Sequence, residues 1–297
     1  MPRSVPVVQV DAFTARPFGG NPAAVVLDAD RLSTLDMRRI AAEMNVSETA
    51  FLSRTDGPGS GLRLRWFTPT GHEVAFCGHA TVATVHALRE NGGLRENRIT
   101  FATAGGPLPV RVEPDGARVV IWLEPALPRC APYPGELVDV LAALGVATFG
   151  GWAPPALTSD GDLLVPMPAL APLRRLAPDL GAIARVAAAE KLRGICAVAL
   201  EGVDPGSKTH SRFFAPHLGI AEDPVTGSVH AALPVWLRQA GHLAGDGEVI
   251  RFIAEQGDGL GRPGRLTVEL CVERGRPARV RVGGEAVTTL TGRLRLD

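Results

Sequence analysis

The sequence predicts an α+β fold of two similar, pseudo-symmetric domains, each with several strands wrapped around one buried helix. Three observations predict it. Arg65-Trp66-Phe67-Thr68-Pro69 returns as Arg212-Phe213-Phe214-Ala215-Pro216, and Gly78-His79-Ala80 returns, two residues later in its copy, as Gly227-Ser228-Val229. Both copies run into a helix-length segment of small and apolar residues with little polar face, which marks a buried helix. Between them, the stretch 125–134 holds four prolines and reads as a linker. The predicted domains are 1–128 and 129–284, with the tail 285–297 returning to the first.

Taken in order, 5–13 is valine-rich and reads as a strand, Phe18-Gly19-Gly20-Asn21-Pro22 as a turn, and 23–27 as a second strand. Ser33 caps a helix that runs to Met44, with Leu35, Ile40, Ala41 and Met44 at helical spacing. Glu48 then sits at a helix-to-strand junction, ahead of the strand 49–52. The alternation of Leu62, Leu64 and Trp66 gives a strand over 61–67. The first buried helix spans 79–91 and is closed by Gly92-Gly93. Strands follow at 99–103, 108–112 and 118–123, the last two joined by a turn at Pro114-Asp115-Gly116. In the second half, helices are expected at 137–144, 179–191 and 228–240. Strands are expected at 163–167, 195–200, 211–214, 248–254, 266–272 and 278–282, and in the tail to Leu296. Pro234 inside the helix 228–240 calls for a kink or a late helix start.

At 297 residues and 45% hydrophobic, the chain can bury a large core. Lys plus Arg and Asp plus Glu both number 31, and this balance argues against a nucleic-acid partner, which needs a basic face. Cys77, Cys130, Cys196 and Cys271 are far apart and form no CxxC pair, which argues against a disulfide framework or a zinc ribbon. The segment 1–10 lacks the apolar core of a signal peptide, and no apolar run is long enough for a bilayer. The expected setting is reducing and cytoplasmic, with no membrane partner.

Cys77-Gly78-His79-Ala80-Thr81 places a histidine and free backbone N–H groups at a helix start, where anions are attracted. Gly227-Ser228 offers the same in the second half, and the two starts are expected to face one cleft between the domains. The halves differ chemically. Glu48 has no acidic counterpart, since Ile195 and Cys196 fall at the matching place. Asp223 precedes only the second helix. From residue type alone, His79 is either an ordinary helix-start histidine or a functional one, Asp223 an N-cap or a reactive acid, and Ser228 a cap or a ligand contact. His72, His79 and His86 are seven apart, whereas helical metal pairs sit at i,i+4, so no metal is expected. The segment 259–264 fits GxGxxG, but a strand follows it, and the dinucleotide reading is rejected in favour of a turn.

Several ordered motifs carry a resemblance across nearly the whole chain. They are Val10-Asp11-Ala12-Phe13-Thr14, Phe18-Gly19-Gly20-Asn21-Pro22-Ala23, Asn45-Val46-Ser47-Glu48-Thr49-Ala50-Phe51, Phe67-Thr68-Pro69, Cys77-Gly78-His79-Ala80-Thr81 and Glu222-Asp223-Pro224-Val225-Thr226-Gly227-Ser228. Gln256-Gly257, Gly261-Arg262-Pro263-Gly264 and Gly283-Gly284 complete the set. The chain resembles the PhzF-like isomerases of phenazine biosynthesis, within the diaminopimelate epimerase superfamily.

That resemblance implies barrel-like sheets around each central helix, a homodimer, and proton transfer without a cofactor on a small carboxylate-bearing metabolite. It implies Glu48 as the acid/base, His79 and Asp223 as catalytic assistants, and Gly78, Gly227 and Ser228 as substrate neighbours. A carboxylate shielded by apolar neighbours titrates nearer working pH, and Val46 and Phe51 are expected to shield. Superfamily epimerases use two facing cysteines. Cys77 takes the first place and Pro224 the second, and proline cannot exchange a proton. A cysteine-dependent epimerase using Cys77 and a non-catalytic binder on the same scaffold stand as the alternatives.

Overall fold

The protein, seen in a computed structural model, is described at residues 3–55, 61–94, 96–245 and 249–296. Glu248, expected to open a strand, and Asp297, the end of the expected tail, lie outside the described residues. The chain divides into two compact units, Met1–Pro125 with Gly283–Asp297, and Ala126–Val282. No described helix is long and apolar enough to cross a membrane.

The first unit contains β1 (Ser4–Ala12), β2 (Asn21–Val26), α1 (Thr34–Met44), β3 (Glu48–Arg54), β4 (Leu62–Phe67) and β5 (Glu73–Val74). It continues with α2 (Gly78–Glu90), β6 (Arg98–Thr103), β7 (Gly106–Asp115) and β8 (Arg118–Leu123). The second unit contains β9 (Cys130–Pro132), α3 (Val138–Leu144), β10 (Ala156–Thr158), β11 (Asp162–Pro166), α4 (Leu170–Arg174), α5 (Leu180–Ala189), β12 (Gly194–Ala199) and β13 (Ser207–Ala215). It closes with β14 (Ile220–Asp223), α6 (Gly227–Gln239), β15 (Val249–Gln256), β16 (Gly264–Glu273) and most of β17 (Arg276–Gly284). The last strand, β18 (Ala286–Arg295), pairs antiparallel along the whole of β1 and so belongs to the first unit.

Each unit is an α+β sheet built to one plan. In the first, β2 and β3 are parallel, β3 and β4 antiparallel, β4 and β6 parallel, and β6 and β7 antiparallel. In the second, β11 with β12, β12 with β13, β13 with β15 and β15 with β16 follow the same alternation. Parallel neighbours need a crossover, and α1 supplies it between β2 and β3, as α4 and α5 do between β11 and β12. Helix α2 packs on β1, β2, β3, β8 and β18, so strands surround it, and every residue from Gly78 to Leu88 except His86 is buried. A helix in that position must be apolar on all faces, which is why its sequence is Ala, Val and Thr.

The repeat extends to side chains. Arg65 forks onto Glu73 at 2.7 and 2.8 Å and lies 5.0 Å above the Phe67 ring. Arg212 forks onto Glu222 at 2.9 and 2.8 Å and lies 5.1 Å above Phe214.

Three expectations are corrected. Helix α6 starts at Gly227 and runs through Pro234, so the start is not late; the proline removes one N–H from a helix whose other bonds carry it through. The proline stretch 125–134 contains β9, paired with β10, rather than being only a linker. Pro114 and Asp115 belong to β7, and the hairpin turn falls on Gly116 and Ala117. Ser33 caps α1 as expected, but as half of a capping box: its hydroxyl accepts the Asp36 N–H at 3.1 Å while the Asp36 carboxylate accepts the Ser33 N–H at 3.0 Å. Ser33→Ala should therefore cost about 1 kcal/mol, measured by thermal unfolding.

Candidate active site

In the first unit the fold brings together Glu48, His79, Cys77 and Asn21, all buried. Glu48 is the first residue of β3 and His79 the second residue of α2. Strand alternation turns Glu48 and Ala50 to one face and Thr49 and Phe51 to the other. Phe51 and Val46 accordingly pack with Val26, Ile40 and Phe67 in the cluster under α1. The expected shielding of Glu48 by Val46 and Phe51 is thus corrected.

His79 Nε2 lies 3.1 Å from Glu48 Oε2. With the ring held charged this is a buried ion pair, and Glu48 Oε2 has no other hydrogen-bond partner among the described residues. Asn21 Nδ2 lies 3.3 Å from His79 Nδ1, and the Ser47 hydroxyl donates to Asn21 Oδ1 at 3.1 Å. Asn21 is placed by the β1–β2 turn. Gly20 there has φ +54°, and a Cβ on it would lie 2.0 Å from the Ala12 carbonyl oxygen, so only glycine fits. Asp11, itself buried, accepts the Phe18 N–H at 2.7 Å and ties the same turn down.

Cys77 Sγ sits 3.6 Å from His79 Nδ1. Burial, and after it the charge of Glu48, pushes the thiol up to about 11. Burial works against a charged His79 ring, and the Cys77 sulfur and the Glu48 carboxylate outweigh it, so the ring is held well above its ordinary value. In the folded protein Cys77 should resist iodoacetamide near neutral pH while the more accessible Cys271 is alkylated, as read by peptide mass spectrometry. The donor atoms of Glu48, Cys77 and His79 lie within 4.8 Å of one another, the spacing of a metal set. A metal there would have to enter between His79 and Glu48 or part His79 from Asn21.

In the second unit the fold gathers Asp223, Thr226, Gly227 and Ser228. Asp223 ends β14 and is neither an N-cap nor a first-turn acid; Thr226 is the N-cap, and its hydroxyl donates to Asp223 Oδ2 at 2.6 Å. Gln256 fastens the loop, accepting the Thr226 N–H at 3.1 Å and donating to the Asp223 carbonyl at 2.7 Å. Gly257 has φ +93°, and a Cβ on it would strike the Pro224 carbonyl at 2.6 Å. Ser228 is the second helical residue, not a cap, and accepts from Arg193 at 2.8 Å. Gly78 and Gly227 open the two helices.

The strand registers settle which residues correspond. Thr49 pairs with Phe67 and Ile195 with Phe214, so the counterpart of Glu48 is Gly194, one residue before the place expected. A Cβ on Gly194 would lie 2.1 Å from the Phe213 ring, which leaves no room for a second acid. Helix starts pair Cys77 with Thr226, so the second unit has no thiol there either. Asn21, Ser47, Asp162, Arg193 and Gln256 carried no role in the sequence reading. Asn21, Ser47 and Gln256 lie inside its motifs; Arg193 was detectable only through the repeat.

A family model described as a phenazine biosynthesis-like protein, PhzC-PhzF, matches residues 10–292. An uncharacterized isomerase of Bacillus subtilis, YfhB, is 34% identical over 296 residues, covering 98% of each chain. An uncharacterized isomerase of Pseudomonas aeruginosa, PA3578, is 39% identical, covering 97% of this chain and 98% of its own. The crystal structure of a Bacillus anthracis phenazine biosynthesis protein of the PhzF family superposes with a TM-score of 0.90 at 28% identity, covering 99% of this chain and 100% of that one. A hydroxyproline epimerase from Agrobacterium vitis shares the fold at 13% identity and a TM-score of 0.63. With repeat, helix starts and a match over nearly its full length all in agreement, the chain belongs to the PhzC-PhzF, phenazine biosynthesis-like family.

Proposed function

We propose that the protein is a cofactor-independent isomerase that moves a proton between carbons of a small carboxylate-bearing metabolite, with Glu48 as the single general acid/base. The observation that supports this best is the Glu48 oxygen: buried, paired with His79 at 3.1 Å, and with no second hydrogen-bond partner among the described residues. A carboxylate held by a single cationic partner keeps lone pairs free, and taking a proton from carbon uses one of them. Glu48 removes a proton next to the substrate's unsaturated or carboxylated system. The electron pair left behind delocalises into that system, and Glu48 returns the proton at another carbon of the same face. His79 steadies the charge on Glu48, and Asp223 assists. Gly78, Gly227 and Ser228 bind the substrate, whose anionic oxygen suits the N–H groups of a helix start. The family resemblance alone supports a homodimeric, cytoplasmic, biosynthetic enzyme.

A screen of carboxylate metabolites with the protein in D2O tests the proposal. A conversion or deuterium gain at carbon supports it; a ligand that binds and is never changed supports a non-catalytic binder instead. The cysteine-dependent epimerase is the second reading, favoured by the Cys77–His79 contact. The elevated thiol and the lack of a thiol in the matching place of the second unit weigh against it.

A further inference from the structure

The residue just before β3, the first residue of β2 and the second residue of α2 form one polar chain: Ser47 donates to Asn21, and Asn21 meets His79. The same three places in the second unit are Arg193, before β12, Asp162, first in β11, and Ser228, second in α6. They too form one chain. Arg193 Nε donates to Asp162 Oδ1 at 2.8 Å, its NH2 group contacts Asp162 Oδ2, and NH2 donates to Ser228 Oγ at 2.8 Å. Asp162 is 1% exposed, and the guanidinium lies 5.9 Å from the Phe213 ring, so the arginine is held from two sides. The duplication has kept a device while changing its residues. In the first unit it sets the ring of His79; in the second it sets a hydroxyl.

We infer that Arg193, fixed by Asp162, is a positioning residue that makes Ser228 a hydrogen-bond donor to an anionic oxygen of the substrate, a carboxylate by class. The physical reason is the direction of the bond. A guanidinium only donates, so it occupies a lone pair of Ser228 Oγ and leaves the hydroxyl proton to point elsewhere. Asp162 balances the arginine charge, so the preference for an anion over a neutral acceptor comes from that hydroxyl proton together with the N–H groups at the start of α6. The inference rests on the reading of Ser228 as a substrate contact.

The test is an acetate titration of the full-length protein, followed at the amide resonances of Gly227, Ser228 and Val229, with acetamide as the neutral control. Wild type should show saturable shifts with acetate and none with acetamide. Arg193→Gln and Ser228→Ala should each weaken acetate by about ten-fold, the range for a hydrogen bond to a charged group. The double variant should be no weaker than Arg193→Gln alone within about two-fold, because the residues act through one contact. Arg193→Lys should recover part of the affinity. If Arg193→Gln leaves Asp162 unpaired and fails to fold, Asp162→Asn with Arg193→Gln and the mild Ser228→Ala carry the test. No saturable shift in wild type, undiminished binding in a folded arginine variant, or additive losses would overturn the inference. Glu48→Gln should bind acetate like wild type; if that variant keeps turnover, the reading of Glu48 fails while the result at Arg193 stands separately.

Discussion

Glu48→Gln is expected to lower turnover by about three orders of magnitude while leaving stability within about 1 kcal/mol of wild type. General acid/base groups are worth roughly 10²–10⁴ in rate, and here one carboxylate is asked both to take and to return the proton. The stability expectation follows from the contact itself. Gln has the same shape, and its amide can keep a neutral contact with a His79 ring that is free to lose its proton in the variant. A second signature should accompany the loss. Glu48 is one of the groups holding the His79 ring well above its ordinary value, so the ring should titrate lower in the variant, read from its imidazole NMR resonances. A variant that loses rate but leaves that titration unmoved would separate Glu48 from His79.

Glu255→Ala is expected to destabilise the second unit by about 3–5 kcal/mol, the cost of removing one partner from a buried charge network. Glu255 is fully buried on β15. It accepts the N–H groups of Val203 and Asp204 at 2.6 and 2.8 Å, contacts His210 Nδ1 at 2.9 Å, and lies 3.5 Å from Arg265. Arg265 also binds Asp204 and Asp258, so a guanidinium already fills the charge role at the His210, Glu255 and Asp258 cluster that has metal-like spacing. Burial opposes the carboxylate, but the bonds from His210, Asp204 and Val203 outweigh it and hold Glu255 down at about 2. Its folded value is therefore below its unfolded value of 4.5. The stabilisation is complete above about 4.5 and is lost as the pH falls toward 2. Urea unfolding at neutral and acid pH should show a steep acid loss in wild type and a shallower one in the variant.

The fold class was legible because its evidence is redundant. Arg65, Phe67 and Gly78 recur as Arg212, Phe214 and Gly227, and the structure adds Glu73 and Glu222, whose pairing with those arginines no linear pattern displays. Glu48 and His79, which the first unit brings into contact, were legible only through the family motifs that hold them, since residue type and position left His79 open and assigned no role to Glu48. Other features depended on register. Whether Glu48 matches Gly194 or Ile195 is a one-residue question, and in a strand one residue reverses the face. The same period of two sends Phe51 away from Glu48. Arg193 and Asp162 stayed hidden because a buried ion pair needs two distant segments to meet, and their residue types differ from Ser47 and Asn21 in the other copy. Helix α6 starts at Gly227 with Pro234 inside it, where the local rule allowed for a late start, because the apolar residues around the proline are buried.

The central claim is that one carboxylate, and no thiol, carries the proton. The most direct measurement sets Glu48→Gln beside Cys77→Ala, with the substrate found by screening, and follows conversion and deuterium uptake at carbon in D2O. The account predicts that Glu48→Gln loses both signals while Cys77→Ala keeps them within about ten-fold of wild type. Retained exchange in Glu48→Gln, together with its loss in Cys77→Ala, would contradict it.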